Sequence, residues 1–257
     1  MRRSTVLAKL RGGKPAICVK TNLSDPRSVE IMGLVGFDCA WMCMEHVPLD
    51  WSALENQIRA AKVHDMDSMV RVAKGSYSDY VRPLEADATG LMVPHVFTGE
   101  EARAVVRTTR FMPVGRRPVD GGNTDGEFCM VPPAAYAEHA NREKFVVVQV
   151  EDYEAIEQLD AICAVPGIDI VFFGPGDFSH SIGKIGQPDH PDVVAARRQV
   201  AQACARHGKW AGTVATTQRA RALVDEGFRF LGIGADVIAI AQYFREIRSD
   251  LERLALL

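Results

Sequence analysis

The sequence predicts a single (β/α)₈ TIM barrel that ends in an additional C-terminal helix. Eight short apolar runs alternate with stretches of helical spacing, and this alternation continues along the whole chain. No Pro/Ser-rich linker and no change in composition divides the chain. A doubly wound open sheet is the alternative, but eight strands within 257 residues favour a closed sheet. We therefore expect one domain that covers residues 1–257.

The predicted strands are short apolar runs, typical of strands that are buried on both faces of a parallel sheet. In chain order they are AICVK (16–20), FDCAWMCM (37–44), DSMVRVA (67–73), GLMVPHV (90–96), FVVVQVE (145–151), IDIVFFG (168–174), WAGTVA (210–215) and FRFLGIGAD (228–236).

The predicted helices lie between these runs and show helical spacing together with helix start signals. They cover residues 24–36, 49–64, 76–88, 98–110, 132–144, 153–167, 191–208 and 216–227, and a last helix over 239–254 follows the eighth strand. That last helix carries an apolar face that can pack on its own barrel or on a neighbouring subunit. Its apolar residues are Ile240, Tyr243, Phe244, Ile247 and Leu251.

The composition is that of a globular protein, since 47% of the residues are apolar and 25% are charged. A net charge of −3 leaves no basic excess for nucleic acid or an anionic membrane. No apolar run approaches the roughly 20 residues that a membrane span requires. The basic start, MRRSTVLAKLRGGK, lacks the apolar core of a signal peptide, and we expect a solvated surface segment there.

The six cysteines are scattered, lie mostly inside apolar segments and form no C-x-x-C pair. This pattern is typical of small buried side chains in a reducing compartment, and it favours neither a disulfide framework nor a zinc site. We therefore expect a cytoplasmic protein. The cysteines are Cys18, Cys39, Cys43, Cys129, Cys163 and Cys204.

Polar side chains cluster at the carboxyl ends of the predicted strands, where the active sites of barrel enzymes are built. A single charged residue at a strand end is usually a cap or a solvated group, but several on one rim indicate a functional site. In strand order they are Lys20, Thr21 and Asn22, then Glu45 and His46, then Arg71, then Gln149 and Glu151, and finally Asp177.

Glu151 and Asp177 end neighbouring strands, so both carboxylates are expected to face the same mouth of the barrel. Like charges held close together require a cation or a shared proton, and a cation is the simpler solution. A donor set made of oxygen suits Mg²⁺ or Mn²⁺ better than zinc, with Co²⁺ as a further candidate. Two protein carboxylates leave coordination positions for water and substrate, which predicts a catalytic metal site.

The segment GPGDFS (174–179) places two glycines beside a proline at the end of the sixth strand. Glycine lets the backbone approach a ligand closely, and successive N–H groups there can bind an anion. The alternative interpretation is an ordinary tight turn, because short glycine motifs are common.

Taken together, these segments resemble the HpcH/HpaI aldolase family of class II, metal-dependent pyruvate aldolases. The resemblance rests on GFDCAWMCMEH, VRV, LMVPHV, VVVQVE and VFFGPGDFS, in the family's order and spacing, and it covers about Lys9 to Leu251. It implies a carbon–carbon lyase that cleaves or forms 4-hydroxy-2-oxo acids through a pyruvate enolate held by a divalent metal, with pyruvate and an aldehyde as products. The family includes aldolases for 4-hydroxy-2-oxoheptanedioate, 2-dehydro-3-deoxyglucarate and 2-keto-3-deoxy-L-rhamnonate, and more distantly macrophomate synthase.

The resemblance also implies roles for individual residues. Glu151 and Asp177 are expected to hold the metal, Gln149 to contact the substrate, and Gly176 and Asp177 to bind the pyruvate carboxylate partly through backbone N–H groups. Arg71 is expected to stabilise the enolate oxygen, and His46 to move the proton of the aldol hydroxyl. Glu85 falls where the family has an acidic residue that reaches the histidine of an adjacent subunit, in a homohexamer with shared active sites.

Two segments depart from the family pattern. Cys43-Met44-Glu45-His46 stands where the family usually has D-G-E-H, so cysteine replaces the aspartate that partners the histidine. Loss of that carboxylate is expected to weaken general-base catalysis by a factor on the order of 10²–10⁴. The second departure is the glycine-rich segment 112–129, interpreted either as a mobile surface loop or as a lid or subunit contact.

Three other functions compete with the aldolase hypothesis. A Schiff-base aldolase would use Lys20 or Lys74, both near strand ends. The same enolate chemistry would also serve an oxaloacetate decarboxylase or an enzyme similar to macrophomate synthase. A pyruvate-binding module without turnover is the third alternative.

Overall fold

The computed structural model describes residues 1–257 and forms a closed barrel of eight parallel strands in chain order. The barrel closes because β1 pairs with both β2 and β8. The predicted TIM-barrel fold is therefore confirmed. The strands are β1 (Ala16–Lys20), β2 (Cys39–Cys43), β3 (Asp67–Arg71), β4 (Gly90–Val93), β5 (Phe145–Val150), β6 (Ile170–Phe173), β7 (Trp210–Ala215) and β8 (Phe228–Ala235).

Twelve α-helices and one 3₁₀ helix surround the barrel or cover its ends. They are α1 (Thr5–Arg11), α2 (Pro26–Val35), α3 (Trp51–Val63), α4 (Tyr77–Glu85), α5 (Gly99–Thr109), the 3₁₀ helix (Thr124–Cys129), α6 (Pro133–Glu143), α7 (Tyr153–Glu157), α8 (Leu159–Cys163), α9 (Pro175–Ser181), α10 (Pro191–Arg206), α11 (Thr217–Asp225) and α12 (Asp236–Arg253).

All eight predicted strands are present, and several are shorter than predicted at the ends where the chain leaves the sheet. The single helix predicted over 153–167 is divided into α7 and α8, which meet at Gln158. The GPGDFS segment, interpreted as an anion-binding segment or a tight turn, supplies the residue before α9, Gly174, and the first residues of that helix, which starts with Pro175 at a position where helices accept proline.

The expectation of a solvated N-terminal segment was wrong. Val6, Leu7 and Leu10 of α1 are buried and pack into the apolar cluster inside the barrel. Ser4 caps the helix by accepting a hydrogen bond from the Leu7 N–H at 3.0 Å. The Ser4 hydroxyl also donates to the buried Asp67 carboxylate at 2.6 Å. The helix therefore closes the end of the barrel opposite the strands' carboxyl ends.

Side chains alternate along each strand between the barrel interior and the helical layer. On β2, Cys39 and Trp41 belong to the interior cluster, whereas Ala40 and Met42 pack against the helices. On β5, Phe145 and Val147 lie in the interior by the same alternation. The next interior positions are at the carboxyl ends of the strands, where polar side chains replace apolar ones.

The glycine-rich segment 112–129 is held by a buried ion pair in addition to its loop contacts. Arg117 contacts the Asp125 carboxylate at 2.7 Å, and the Tyr136 hydroxyl donates to the same carboxylate at 2.7 Å. The Arg117 guanidinium also lies 4.8 Å from the centre of the Phe111 ring. These contacts attach the segment and its 3₁₀ helix to α6.

The last helix, α12, begins directly after β8 and leaves most of its surface exposed. Asp236 in its first turn is its one buried residue. Tyr243 and Phe244 are 61% and 63% exposed. The apolar face predicted from the sequence is therefore present but uncovered within one chain.

All six cysteines are free thiols, and Cys129 alone among them is exposed. This agrees with the expectation of small core side chains without disulfides. None of the helices combines the length and apolar character that crossing a bilayer requires.

Candidate active site

An open cleft of about 440 Å³ lies at the carboxyl end of the barrel. His46, Arg71 and Asp177, which the sequence placed on one rim, all line it. Lys20 and Trp41 form part of the same wall. These side chains come from four strands or their following loops, and they meet because parallel strands present all their carboxyl ends to one mouth.

Glu151 is the most deeply buried acidic residue of this region, with 1% of its surface exposed. Its Oε1 accepts a hydrogen bond from the His95 backbone N–H at 3.1 Å. Its Oε2 accepts one from the Gln149 amide. The Gln149 Oε1 is buried without a hydrogen-bond partner, so this pair of residues still has a free acceptor near the cleft.

The electrostatics of Glu151 reflect its burial. The pKa of this carboxyl is raised to about 7, chiefly by removal from water; His95 and Arg71 oppose the rise and the nearby charge of Asp177 adds to it. Negative charge here is therefore only partly compensated by the protein. A bound cation would complete the compensation.

Gly174 lies directly beside the Glu151 carboxylate and leaves no space for a larger residue. A Cβ at this position would lie 2.5 Å from Glu151 Oε2 and 3.0 Å from Gln149 Nε2. The first glycine of GPGDFS is thus required for close packing against the site. Gly176 and Asp177 are exposed at the start of α9, and a Cβ on Gly176 would meet open space.

Arg71 is buried at the end of β3 and is held on several sides. Its Nε lies 3.0 Å from Glu45 Oε2, and one of its terminal nitrogens donates to Cys43 Sγ at 3.2 Å. The Trp41 ring lies against the guanidinium, 5.0 Å from its central carbon. These contacts fix the plane of the guanidinium at the cleft.

His46 is more exposed than the rest of the site, with 58% of its side chain accessible. Its Nε2 lies 3.5 Å from Glu45 Oε2. Cys43 accepts its hydrogen bond from Arg71, because the β2–β3 register places Cys43 beside Arg71. The carboxylate that accompanies the histidine in this chain is therefore Glu45.

His95 is the functional candidate that sequence reasoning missed. It follows β4 in a left-handed conformation (φ 51°) that side chains seldom adopt. Its Nδ1 lies 2.9 Å from Asp152 and 3.6 Å from Glu151 Oε1. Burial of the imidazole opposes its charge, but the hydrogen bond with Asp152 and the charges of Glu151 and Glu45 raise the pKa of His95 overall. The sequence feature that could have identified His95 is its place in PHV, at the end of the fourth predicted strand.

Comparisons with known proteins identify the family of this chain. The sequence profile of the HpcH/HpaI aldolase/citrate lyase family matches residues 19–242. The chain belongs to this family. It is 32% identical to a hydroxypyruvate/pyruvate aldolase of Pseudomonas aeruginosa over 93% of this chain and 89% of that protein. It is 33% identical to a 5-keto-4-deoxy-D-glucarate aldolase of Shigella boydii over 84% of this chain and 83% of that protein.

The solved structures give the same result. An HpcH/HpaI aldolase from Desulfitobacterium hafniense superposes with a TM-score of 0.91 at 30% identity, covering 96% of each chain. This member of the HpcH/HpaI family is therefore an enzyme, a lyase of the aldolase type.

Glu85 lies outside the cleft. It is at the end of α4, in a second groove of about 470 Å³ that it shares with Trp51, Arg82 and Phe128. Partial burial raises the pKa of Glu85, with Asp125 adding to the effect and Arg117 opposing it. Within one chain Glu85 does not contact His46, so a shared site between subunits stays a prediction.

The side chains of the cleft fit a divalent metal with few protein ligands. No group of three or more His, Cys, Asp or Glu side chains is arranged to hold an ion. The two oxygen donors Glu151 and Asp177, the raised pKa of Glu151 and the unpartnered Gln149 Oε1 all favour a hard cation completed by water and substrate.

The contact between Cys43 and Arg71 predicts that Cys43→Asp is tolerated, because the buried carboxylate gains a cationic partner. Cys39→Asp is the matched control, since Cys39 is equally buried on the same face of β2 and is paired in register with Asp67. Cys39→Asp buries an unpaired charge and should lower the Tm by roughly 10 °C. Cys43→Asp should lower the Tm by less than about 4 °C. Thermal unfolding of both variants is the measurement, and an equal loss would contradict the Arg71 contact.

The raised pKa of Glu151 predicts a pH-dependent stability of the metal-free protein. Since the folded state binds this proton more tightly than the unfolded chain, the free energy of unfolding should fall as pH rises from 4.5 to about 7. The upper limit of this loss is about 3 kcal/mol. Urea denaturation in EDTA between pH 5 and 8 should show a flatter profile for Glu151→Gln. The exposed control Glu154→Gln should keep the wild-type slope, and an unchanged slope in Glu151→Gln would refute the assignment.

Proposed function

We propose that this enzyme is a metal-dependent pyruvate aldolase that cleaves or forms 4-hydroxy-2-oxo acids, with pyruvate and an aldehyde as the two halves. The observation that supports this most is the buried Glu151 carboxylate beside Asp177, at a cleft that also presents Arg71. The relatives named as hydroxypyruvate/pyruvate and 5-keto-4-deoxy-D-glucarate aldolases support the same reaction class.

Glu151 and Asp177 would hold Mg²⁺ or Mn²⁺, with Co²⁺ as a further candidate. When bound, the ion supplies Lewis-acid polarisation of the 2-oxo acid. Gln149 would orient the Glu151 carboxylate and use its free Oε1 toward water or substrate. Gly176 and Asp177, exposed at the start of α9, would meet the carboxylate of the 2-oxo acid.

Arg71 would stabilise the negative charge that develops on the substrate oxygen. The guanidinium is already oriented by Glu45, Cys43 and Trp41, so little reorganisation is required when that charge appears. A planar donor held in this way positions its N–H groups better than a flexible ammonium would.

His46 would accept and return the proton of the aldol hydroxyl. Its exposure lets the ring reach a substrate in the cleft, and Glu45 at 3.5 Å can stabilise the imidazolium. Because Glu45 is shared with Arg71, its support of His46 is weaker than that of a dedicated carboxylate.

Oxaloacetate decarboxylation is the second candidate, favoured by one observation. Arg71 and Glu151 are buried and held by contacts, whereas His46 is mostly exposed and lacks a carboxylate of its own. Loss of CO₂ from oxaloacetate leaves the pyruvate enolate and needs no aldol proton transfer, so it requires the first group of residues and not the histidine.

Activity assays with the metal-free enzyme test the proposal. Readdition of Mg²⁺ or Mn²⁺ should restore aldol formation from pyruvate and an aldehyde, and Glu151→Ala or Asp177→Ala should lower kcat/KM roughly 100-fold or more. Glu154→Gln serves as the control. His46→Ala should abolish aldol turnover while sparing oxaloacetate decarboxylation. Full activity in EDTA, or of either alanine variant, would overturn the metal site.

We further propose a homohexamer in which subunits share active sites. The apolar face of α12 is uncovered in one chain, and an apolar groove of about 410 Å³ lies between α2 and the start of α12. Ile31 and Val35 of α2 are 61% and 68% exposed beside this groove. A second copy of the chain, contributing its own α12, would cover both surfaces. Glu85 would then meet His46 of a neighbouring subunit.

Sedimentation velocity tests this assembly. Phe244→Asp should yield smaller species, because it places a charge in the apolar contact, and activity should fall with them. Arg245→Ser, one residue along the helix and without an ion pair, is the matched control and should keep the assembly. A fully active monomer would contradict the shared site.

A further inference from the structure

Lys20 projects into the mouth of the barrel from the end of β1. Ala16 and Cys18 of the same strand lie in the interior cluster, so the alternation of the strand directs Lys20 to the interior at the carboxyl end. It lines the cleft with Arg71 and Asp177. In a closed barrel of eight strands in chain order, β1 lies opposite β5, the strand that Glu151 follows.

The Lys20 ammonium has no carboxylate partner in the chain. Arg71, the other permanent cation of the cleft, is paired with Glu45. Lys74, the second lysine near the rim, contacts Glu101 at 3.2 Å. The Asp236 carboxylate near the end of β1 accepts the backbone N–H groups of Asn22 and Leu23 at 2.8 and 3.1 Å. The contact that Lys20 does make is with the Trp41 ring, 5.8 Å from its centre.

Space remains beside this ammonium. The β1–β8 register shifts between Cys18 and Lys20, so β8 bulges there. Gly232 and Gly234 of that strand line the cleft, and a Cβ on Gly234 would meet no atom within 4 Å. The Trp41 Nε1 is buried and lacks a hydrogen-bond partner. The wall formed by β1 and β8 therefore offers an unpaired cation and room for a ligand.

We propose that Lys20 binds an anionic group on the aldehyde half of the substrate, a carboxylate or a phosphate, and so selects charged aldehydes. This inference rests on the proposed aldolase function. If the 2-oxo acid end is held near Glu151, Asp177 and Arg71, the far end of a bound aldol extends across the mouth toward β1. An ion pair there binds both the substrate and the transition state, so it selects among aldehydes without taking part in the chemistry.

Kinetics with matched aldehydes test the selection. The pairs are 4-oxobutanoate with butanal, and glyceraldehyde 3-phosphate with glyceraldehyde, each with pyruvate and Mg²⁺. Lys20→Met should lower kcat/KM for the charged member of at least one pair about 10- to 100-fold and leave the neutral member unchanged. The pair that responds identifies carboxylate or phosphate. Lys20→Arg should restore most of the preference.

Lys14→Met is the matched control, since Lys14 is exposed at the other end of β1. Equal loss for charged and neutral aldehydes, or no loss for either, would overturn the proposal. Borohydride trapping of pyruvate on Lys20 would also overturn it, because the residue would then act as a Schiff-base nucleophile.

A binding measurement separates this proposal from the proposed function. 2-Oxoheptanedioate has the 2-oxo acid and a distal carboxylate but no 4-hydroxyl, so it cannot undergo aldol cleavage. By calorimetry with Mg²⁺, the wild type should bind it about 10-fold or more tightly than 2-oxoheptanoate, and Lys20→Met should remove the difference. This result supports Lys20 even if no aldol turnover is found. Equal binding of both compounds by the wild type refutes a carboxylate at Lys20. For a phosphate, glyceraldehyde 3-phosphate should compete for the site more strongly than glyceraldehyde in the wild type but not in Lys20→Met.

Discussion

Closure of the barrel between β1 and β8 is the constraint on which the rest of the structure depends. With all eight strands parallel, closure brings every carboxyl end to one mouth. Lys20, Arg71 and Gln149 lie near the carboxyl ends of three different strands, and Glu151 is the first residue after β5. The interior below is filled by large apolar side chains, among them Phe145, Phe172 and Phe230. Because that layer is rigid, the polar layer above it is held at fixed separations.

Charge is distributed unevenly around the mouth. The side formed by β5 and β6 carries the buried Glu151 and the exposed Asp177, and the side formed by β1 and β3 carries Lys20 and Arg71. Glu45 lies between Arg71, His46 and His95, at 3.0, 3.5 and 3.7 Å, so one carboxylate influences three cationic or titratable groups. A 2-oxo acid has negative charge at one end and a polarised carbonyl beside it, and it suits a cleft with this separation of charge.

The end of the barrel at α1 contributes to stability, and the end at the cleft forms the candidate site. At the end opposite the cleft, Asp67 is buried and accepts bonds from Ser4 and the Val6 N–H while pairing with Arg2 at 3.0 Å. These contacts attach α1 and contribute to stability alone. One Arg2 nitrogen is left without a partner at that end, and near the cleft Gln149 Oε1 and Trp41 Nε1 are left without partners. Buried polar atoms without partners are costly, and they are tolerated where a ligand can satisfy them.

Local patterns in the sequence predict the fold class, the eight strands and most of the polar residues at the rim, with His95 as the exception. Those features depend on local patterns, because short apolar runs form the buried strands of a parallel sheet and polar residues follow where each strand ends. The tertiary structure decided which of these residues meet. The β2–β3 register sets Cys43 beside Arg71, leaving Glu45 to accompany His46. His95 reaches Glu151 because β4 and β5 are neighbours in the sheet. α1 is likewise buried only because the closed barrel has an apolar interior against which it packs. Contacts of this kind join residues far apart in the chain, and no local pattern encodes the strand register that brings them together.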